Sequence, residues 1–114
     1  YLAEFHPVCY ALDSETGRTV KQDYFTTAPD VWEATGTYAD WTARTRHNTV
    51  VEFQHTLGTI VTALARAGLR LDFLHEHDFT LFRQFQQLRG NDDGTLGYSG
   101  EGRVPLMYSL KATR

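Results

Sequence analysis

The sequence is poor in features that would assign it to several large classes of protein. Cys9 is the only cysteine, so neither an intrachain disulfide nor a multi-cysteine zinc site can form. Nothing requires an oxidising compartment, and we expect a cytoplasmic location. Basic residues are also few, since 11 Lys and Arg stand against 14 Asp and Glu and leave a formal charge of −3. A nucleic-acid-binding domain normally carries a basic excess, so no nucleic-acid partner is expected.

Long apolar runs are absent as well. No stretch approaches the ~18 to 20 residues that span a membrane, and the first residues lack the basic-then-apolar order of a signal peptide. No membrane partner is therefore expected. The sequence also lacks a glycine-rich turn of the Gly-x-Gly type between a strand and a helix, which would cradle a nucleotide or cofactor.

The composition that remains is that of one globular unit covering residues 1–114. Hydrophobic residues make up 41%, aromatic residues 13% and charged residues 22%, and this length supports one core at most. Alternating apolar residues predict strands at 1–6, which Pro7 ends, and at 49–54, 69–75 and 104–110. A strand at the first residue indicates that the sequence begins inside a larger domain.

The clearest helix prediction covers residues 56–67. Thr56 can cap its start, and Gly68 is placed for a left-handed cap at its end. The apolar residues at the spacing of one helical face are Leu57, Ile60, Val61 and Leu64. This face is expected to cover a sheet. A helix joined to a strand by a glycine cap is half of a βαβ unit, so the predicted fold class is α/β with a partly parallel sheet.

Three further segments have weaker patterns. Residues 8–12 and 19–25 are β-prone and flank the turn residues 13–17, which predicts a hairpin. Residues 26–47 predict an irregular excursion with a helical turn near 30–34. Residues 90–102 hold five of the nine glycines and predict a flexible loop.

Several segments, in their order along the chain, resemble one known family. They are Glu4-Phe5-His6-Pro7 closing a strand, Phe53-Gln54-His55-Thr56-Leu57-Gly58 opening a helix, Ala67-Gly68-Leu69 leading into Phe73-Leu74-His75-Glu76-His77, and Pro105-Leu106-Met107-Tyr108-Ser109-Leu110-Lys111-Ala112 near the end. This ordered set resembles the C-terminal part of bacterial class I S-adenosylmethionine-dependent methyltransferases of the small-molecule type.

The resemblance implies the C-terminal portion of a Rossmann-like sheet of seven strands whose last strand is antiparallel to the rest. Residues 1–6 look like the fifth strand, 69–75 like the sixth and 104–111 like the seventh, which the family inserts between the other two. Residues 8–54 would be an insertion that caps the pocket of a small-molecule substrate. S-adenosylmethionine would be the cofactor of the parent protein, held by a first half that is missing here. The isolated chain is therefore expected to be inactive and to contain no cofactor-binding residue.

Ligands of open α/β sheets gather at the carboxyl ends of the parallel strands, which points to Glu4, His6 and Pro7. We assign His6 and Glu4 as catalytic candidates and Pro7 as a substrate-binding candidate. An imidazole that titrates near neutral pH can orient or deprotonate a substrate, or it can simply bond the nearby loop. The plainer role of Glu4 is to satisfy backbone groups or His6.

Aromatic residues in the irregular segments can line a substrate pocket or hold the excursion to the sheet. We assign Trp32 and Trp41 to substrate binding. His55 joins them, because it lies just before a helix N-terminus, where a neutral ring can donate or accept a hydrogen bond; an extended capping role is its alternative. Cys9 has no local histidine or helix N-terminus to activate it, so no nucleophilic role is expected.

Two alternatives come from other classes. One is a small α+β domain that encloses a hydrophobic ligand without catalysis. The other is a metal-dependent enzyme built on His6, His75 and His77, with Asp78 or Glu4 as a carboxylate ligand. No third ligand stands at a diagnostic spacing from the histidine pair, so no metal is expected. Loss of the preceding strand would expose a sheet edge, which predicts self-association.

Overall fold

The computed structural model describes residues 1–37, 40 and 42–114, a mixed α/β fold of small sheets and few helices. Tyr38, Ala39 and Trp41 lie outside the described residues. The elements in chain order are β1 (Leu2–Phe5), α1 (Val8–Ala11), β2 (Asp30–Glu33), β3 (Thr49–Glu52), α2 (Leu57–Arg66), β4 (Arg70–His77), β5 (Phe79–Thr80), β6 (Arg89–Gly90), β7 (Leu96–Gly97) and β8 (Met107–Thr113).

The main sheet has the strand order β1-β8-β4, and β8 is antiparallel to both neighbours. β1 and β4 therefore run in the same direction without touching. The order of these three strands, and the reversed direction of the last, agree with the expectation. The prediction of a partly parallel sheet is wrong, because β8 lies between β1 and β4 and is antiparallel to both. Every strand pair in the described part of the chain is antiparallel.

The predicted helix is confirmed as α2. The Thr56 hydroxyl accepts a hydrogen bond from the backbone N–H of Thr59 at 3.1 Å and caps the N-terminus. At the other end Gly68 has φ +78°, and the N–H of Leu69 donates to the carbonyl of Leu64 at 3.1 Å. α2 lies beside β4, with its apolar residues half-buried.

Three local predictions are wrong. Residues 8–11 form the short helix α1 instead of a strand, because Pro7 already has helical dihedral angles and the turn that follows buries Cys9 and Ala11. The predicted hairpin is reduced to one bridge between Leu12 and Val20. The predicted helical turn near 30–34 is the strand β2, which pairs with β3. A partner strand about 20 residues away stabilises an extended segment that local pattern alone does not reveal.

The buried core lies between loops, α1 and the start of β8, and not under α2. Its residues are Cys9, Leu12, Phe85, Leu88 and Leu106. A third sheet of order β5-β7-β6 packs nearby, and β7 falls inside the glycine-rich segment 90–102. Tyr98, just after β7, donates its hydroxyl to the carbonyl of Gly17 at 2.8 Å. This bond ties the third sheet to the turn at residues 13–17.

Candidate functional site

The carboxyl ends of β1 and β4 meet at one edge of the main sheet. The backbone N–H of His6 donates to the carbonyl of Leu106 at 3.0 Å, and the N–H of Leu106 donates to the carbonyl of His77 at 2.7 Å. Leu106 therefore holds the ends of both strands together just before β8 begins. Residues at this edge are fixed by long-range backbone bonds, which suits a binding or catalytic position.

His6 is buried at this edge, with 6% of its surface exposed. Its Nδ1 accepts a hydrogen bond from the backbone N–H of Val8 at 3.2 Å, so the proton of the neutral ring belongs on Nε2. Nε2 lies 2.9 Å from Oε1 of Glu76 but is not aligned with it as a hydrogen-bond donor. Burial lowers the pKa of His6 below its usual 6.5, although the Glu76 carboxylate acts in the opposite direction. The ring is thus neutral near pH 7.

Glu76, which was not among the assigned site residues, is the acidic partner of His6. In the sheet register Glu4 and Glu76 both lie directly opposite Tyr108, one on each side, so all three side chains share a face. The Oε2 atom of Glu4 accepts a 3.3 Å bond from the N–H of Phe5. The sequence carried one signal for Glu76, since it alternates with His75 and His77 at a strand end, but its register opposite Glu4 depends on β8.

A cavity of about 280 Å³ lies beside α1 and the end of β1. Its apolar walls come from Phe5, Leu12 and Phe85, and Cys9 also lines it. Burial raises the pKa of the Cys9 thiol to about 12, so the sulfur stays protonated, as expected for a non-nucleophilic cysteine. The cavity is smaller than the 300–1,000 Å³ typical of drug-sized ligand sites, which restricts it to small molecules.

The polar wall of this cavity is acidic. Glu52, the last residue of β3, is half-buried, and its carboxylate makes no hydrogen bond or ion pair with any described residue. Burial first, and then the charges of Glu52 and Glu4, raise the pKa of Tyr10, which therefore keeps its hydroxyl proton. On its other side Tyr10 borders a second cavity of about 180 Å³, which Asp30 also lines.

The structure brings some of the predicted residues near this region and leaves others apart. Pro7 is the N-cap residue of α1, between the main-sheet edge and the cavity. Trp32 is 43% exposed and lies on the face of the β2–β3 ribbon that also carries Glu52. His55 is exposed and precedes Thr56, the residue that caps α2. Trp41 lies outside the described residues.

His75 and His77 lie on one face of β4, with ring centroids 6.5 Å apart, while Glu76 points to the other face. Nε2 of His77 is 2.8 Å from the hydroxyl oxygen of Ser109. His6 is paired with Glu76 and so does not join these two histidines. Within residues 1–37, 40 and 42–114 no group of three or more His, Cys, Asp or Glu side chains is arranged to hold a metal ion.

Comparison with known proteins adds no assignment. No protein-family model matches the chain, and neither a curated protein nor a solved structure does so. Among the helices described, none has the length and apolar character needed to cross a membrane.

Proposed function

We propose that this chain is the C-terminal part of a class I S-adenosylmethionine-dependent methyltransferase and supplies the side of the active site that binds a small-molecule acceptor. One observation carries the proposal: the strand order β1-β8-β4, in which a reversed final strand lies between two strands that share a direction. The helix α2, which leads through Gly68 into β4, supports the same arrangement.

The chain's own residues do not fit the methyl donor. Family members hold S-adenosylmethionine on a glycine-rich turn after their first strand, and this sequence has no such turn between a strand and a helix. When bound, the donor supplies an electrophilic methyl group. The residues of this chain would bind and orient the acceptor and exclude water, which are the main demands of an in-line displacement.

This proposal assigns His6 to the acceptor side of the site, next in sequence to Phe5, which lines the cavity of about 280 Å³. His6 is neutral, it carries a proton on Nε2, and Glu76 restrains its position. A ring in this state can donate a hydrogen bond to an acceptor oxygen or nitrogen. Because Nδ1 is engaged by the N–H of Val8, His6 would act as a hydrogen-bonding residue before it acted as a base.

The test is made on the parent reading frame. We expect a strand followed by a Gly-x-Gly turn within the ~150 residues upstream of Tyr1 that half of such a domain occupies. We also expect transfer of a radiolabelled methyl group by the full-length product, and a loss of transfer in His6→Ala that a matched change at the exposed His47 does not reproduce. Absence of the upstream turn contradicts the proposal. Calorimetry of the 114-residue chain with S-adenosylmethionine should show no tight binding.

The second candidate is a ligand-binding domain without catalysis. The observation that favours it is the cavity of about 280 Å³, whose walls are mostly apolar or aromatic. Under this function the full-length product binds the ligand but transfers no methyl group from S-adenosylmethionine. Both candidates place the protein in the cytoplasm, since its single cysteine requires no oxidising compartment.

A further inference from the structure

The cavity beside α1 combines aromatic walls with one uncompensated negative charge. Phe5, Tyr10 and Phe85 contribute rings, and Glu52 contributes a half-buried carboxylate without a partner among the described residues. A carboxylate that is partly removed from water loses hydration, and it recovers that free energy only from a cation or from hydrogen-bond donors. Among the described residues, the walls of the cavity supply neither a cation nor a hydrogen bond to stabilise the Glu52 carboxylate.

The surroundings reinforce the negative potential. Glu4 acts on Tyr10 from the sheet, and Asp30 lies directly opposite Glu52 in the β2–β3 register. Like charges that face each other across a strand pair destabilise it. Among the residues that the structure describes, no Lys, Arg or His lines either this cavity or the smaller one beyond Tyr10. A bound cation would relieve repulsion at three carboxylates, whereas an anionic ligand would add to it.

We propose that this cavity binds a small aromatic amine in its cationic form, with the ring against Phe5, Tyr10 and Phe85 and the ammonium on the Glu52 carboxylate. The volume of about 280 Å³ suits one ring with a short side chain. Rings of Tyr and Phe also attract a nearby ammonium through their negative faces.

This inference deepens the proposed function by naming the class of acceptor. The binding of the amine does not depend on the proposed function, but its role as the methyl acceptor rests on that function. The amine is the group that is recognised, and it does not decide which atom receives the methyl group. Binding is measured without a methyl donor. A failure of amine binding therefore overturns this inference alone, and a missing upstream cofactor turn overturns only the proposed function.

The experiment titrates the unaltered 114-residue chain with 2-phenylethylamine and, separately, with its anionic counterpart 3-phenylpropionate. Calorimetry measures affinity, and ¹H–¹⁵N spectra locate the ligand. We expect the amine to bind at least about tenfold more tightly, because a hydrogen bond to a charged group contributes about 1.5–3 kcal/mol. We also expect its largest shifts at Tyr10, Glu52 and Phe85. Equal affinities, tighter binding of the anion, shifts confined to other residues or no binding of the amine would overturn the proposal.

A matched pair of variants then tests whether the Glu52 carboxylate binds the ammonium group. Glu52→Gln should lower the affinity for the amine about tenfold or more and leave that for 3-phenylpropionate unchanged or higher. Glu33→Gln is the control, because Glu33 lies on the opposite face of the same ribbon, where its Oε1 accepts a 2.7 Å bond from Thr49 that a glutamine oxygen can also accept. Equal losses in both variants would overturn the assignment to Glu52. The comparison of the two probes stands even if Glu52→Gln does not fold.

Discussion

Gly17 requires glycine for two separate reasons, its left-handed backbone conformation and the lack of space for a Cβ atom. It is buried with φ +66°, and its N–H donates to the carbonyl of Asp13 at 2.9 Å to close the turn at residues 13–17. A Cβ atom added at Gly17 would overlap the Tyr98 hydroxyl and the Phe85 ring. Gly94 has a similar dihedral angle, φ +84°, but a Cβ there would meet no atom within 4 Å.

The two positions therefore predict different losses of stability on substitution by alanine. The left-handed conformation costs about 1–2 kcal/mol for a residue with a Cβ, and this is the whole expectation for Gly94→Ala. In Gly17→Ala the displacement of packed neighbours adds about 1–3 kcal/mol, for a total of about 2–5 kcal/mol. Since domains unfold with about 5–15 kcal/mol, the second loss is a large fraction of the total.

Urea unfolding of the two variants and the unaltered chain measures both losses, with the far-ultraviolet circular dichroism as the signal. We expect a lower midpoint for both variants, a clearly larger drop for Gly17→Ala and similar slopes. In addition, Tyr98→Phe should leave the ring packing in place and remove only the hydroxyl bond to Gly17. Equal losses for Gly17→Ala and Gly94→Ala would refute the argument that Tyr98 and Phe85 close around this turn.

Three other predictions follow from burial and from the open sheet edge. Because the pKa of His6 is lowered from 6.5, the unfolded chain binds its proton more readily, so stability should fall as pH drops below about 6.5. In urea titrations between pH 5 and pH 7.5, the range around the unperturbed pKa, His6→Asn should weaken this dependence of stability on pH. An unchanged pH dependence would contradict its assignment to His6. With the pKa raised to about 12, Cys9 should react with a thiol reagent roughly a thousandfold more slowly when folded than in urea; equal rates would contradict its burial. The outer edge of β1 has no partner strand among the described residues, so sedimentation should detect concentration-dependent self-association, and a monodisperse monomer at high concentration would count against it.

The parts of the fold that were predicted correctly are those whose signals are local. The apolar spacing of α2, the capping hydroxyl of Thr56 and the left-handed Gly68 lie within 13 consecutive residues of sequence, counted 56–68. The alternation in β1, β4 and β8 is also local, although their bounds differ from the prediction by one to three residues. The strand order followed from the resemblance and not from the pattern of any strand.

The contacts of the candidate site could not be predicted from local sequence patterns. His6 was selected by the rule that ligands gather at carboxyl ends of strands, but its partner Glu76 lies 70 residues away. Glu52 was read only as the polar side of a short strand. Its importance comes from the pairing of β3 with β2 and from the approach of Tyr10 on α1, neither of which is visible in its own neighbours in sequence.

The sequence by itself excluded an intrachain disulfide and a multi-cysteine zinc site, because it has one cysteine, and it argued against a nucleic-acid partner, because it has no basic excess. It also determined the elements whose periodicity and caps are encoded within a few turns. Tertiary structure alone decided that residues 8–11 form a helix and that residues 30–33 form a strand. It also decided that the Glu52 carboxylate, which has no partner among the described residues, lines an aromatic cavity. The physical reason is the range of the interactions. Caps and alternation act over a few residues, whereas burial, register and electrostatic pairing join side chains that the chain separates by about 20 to 100 residues.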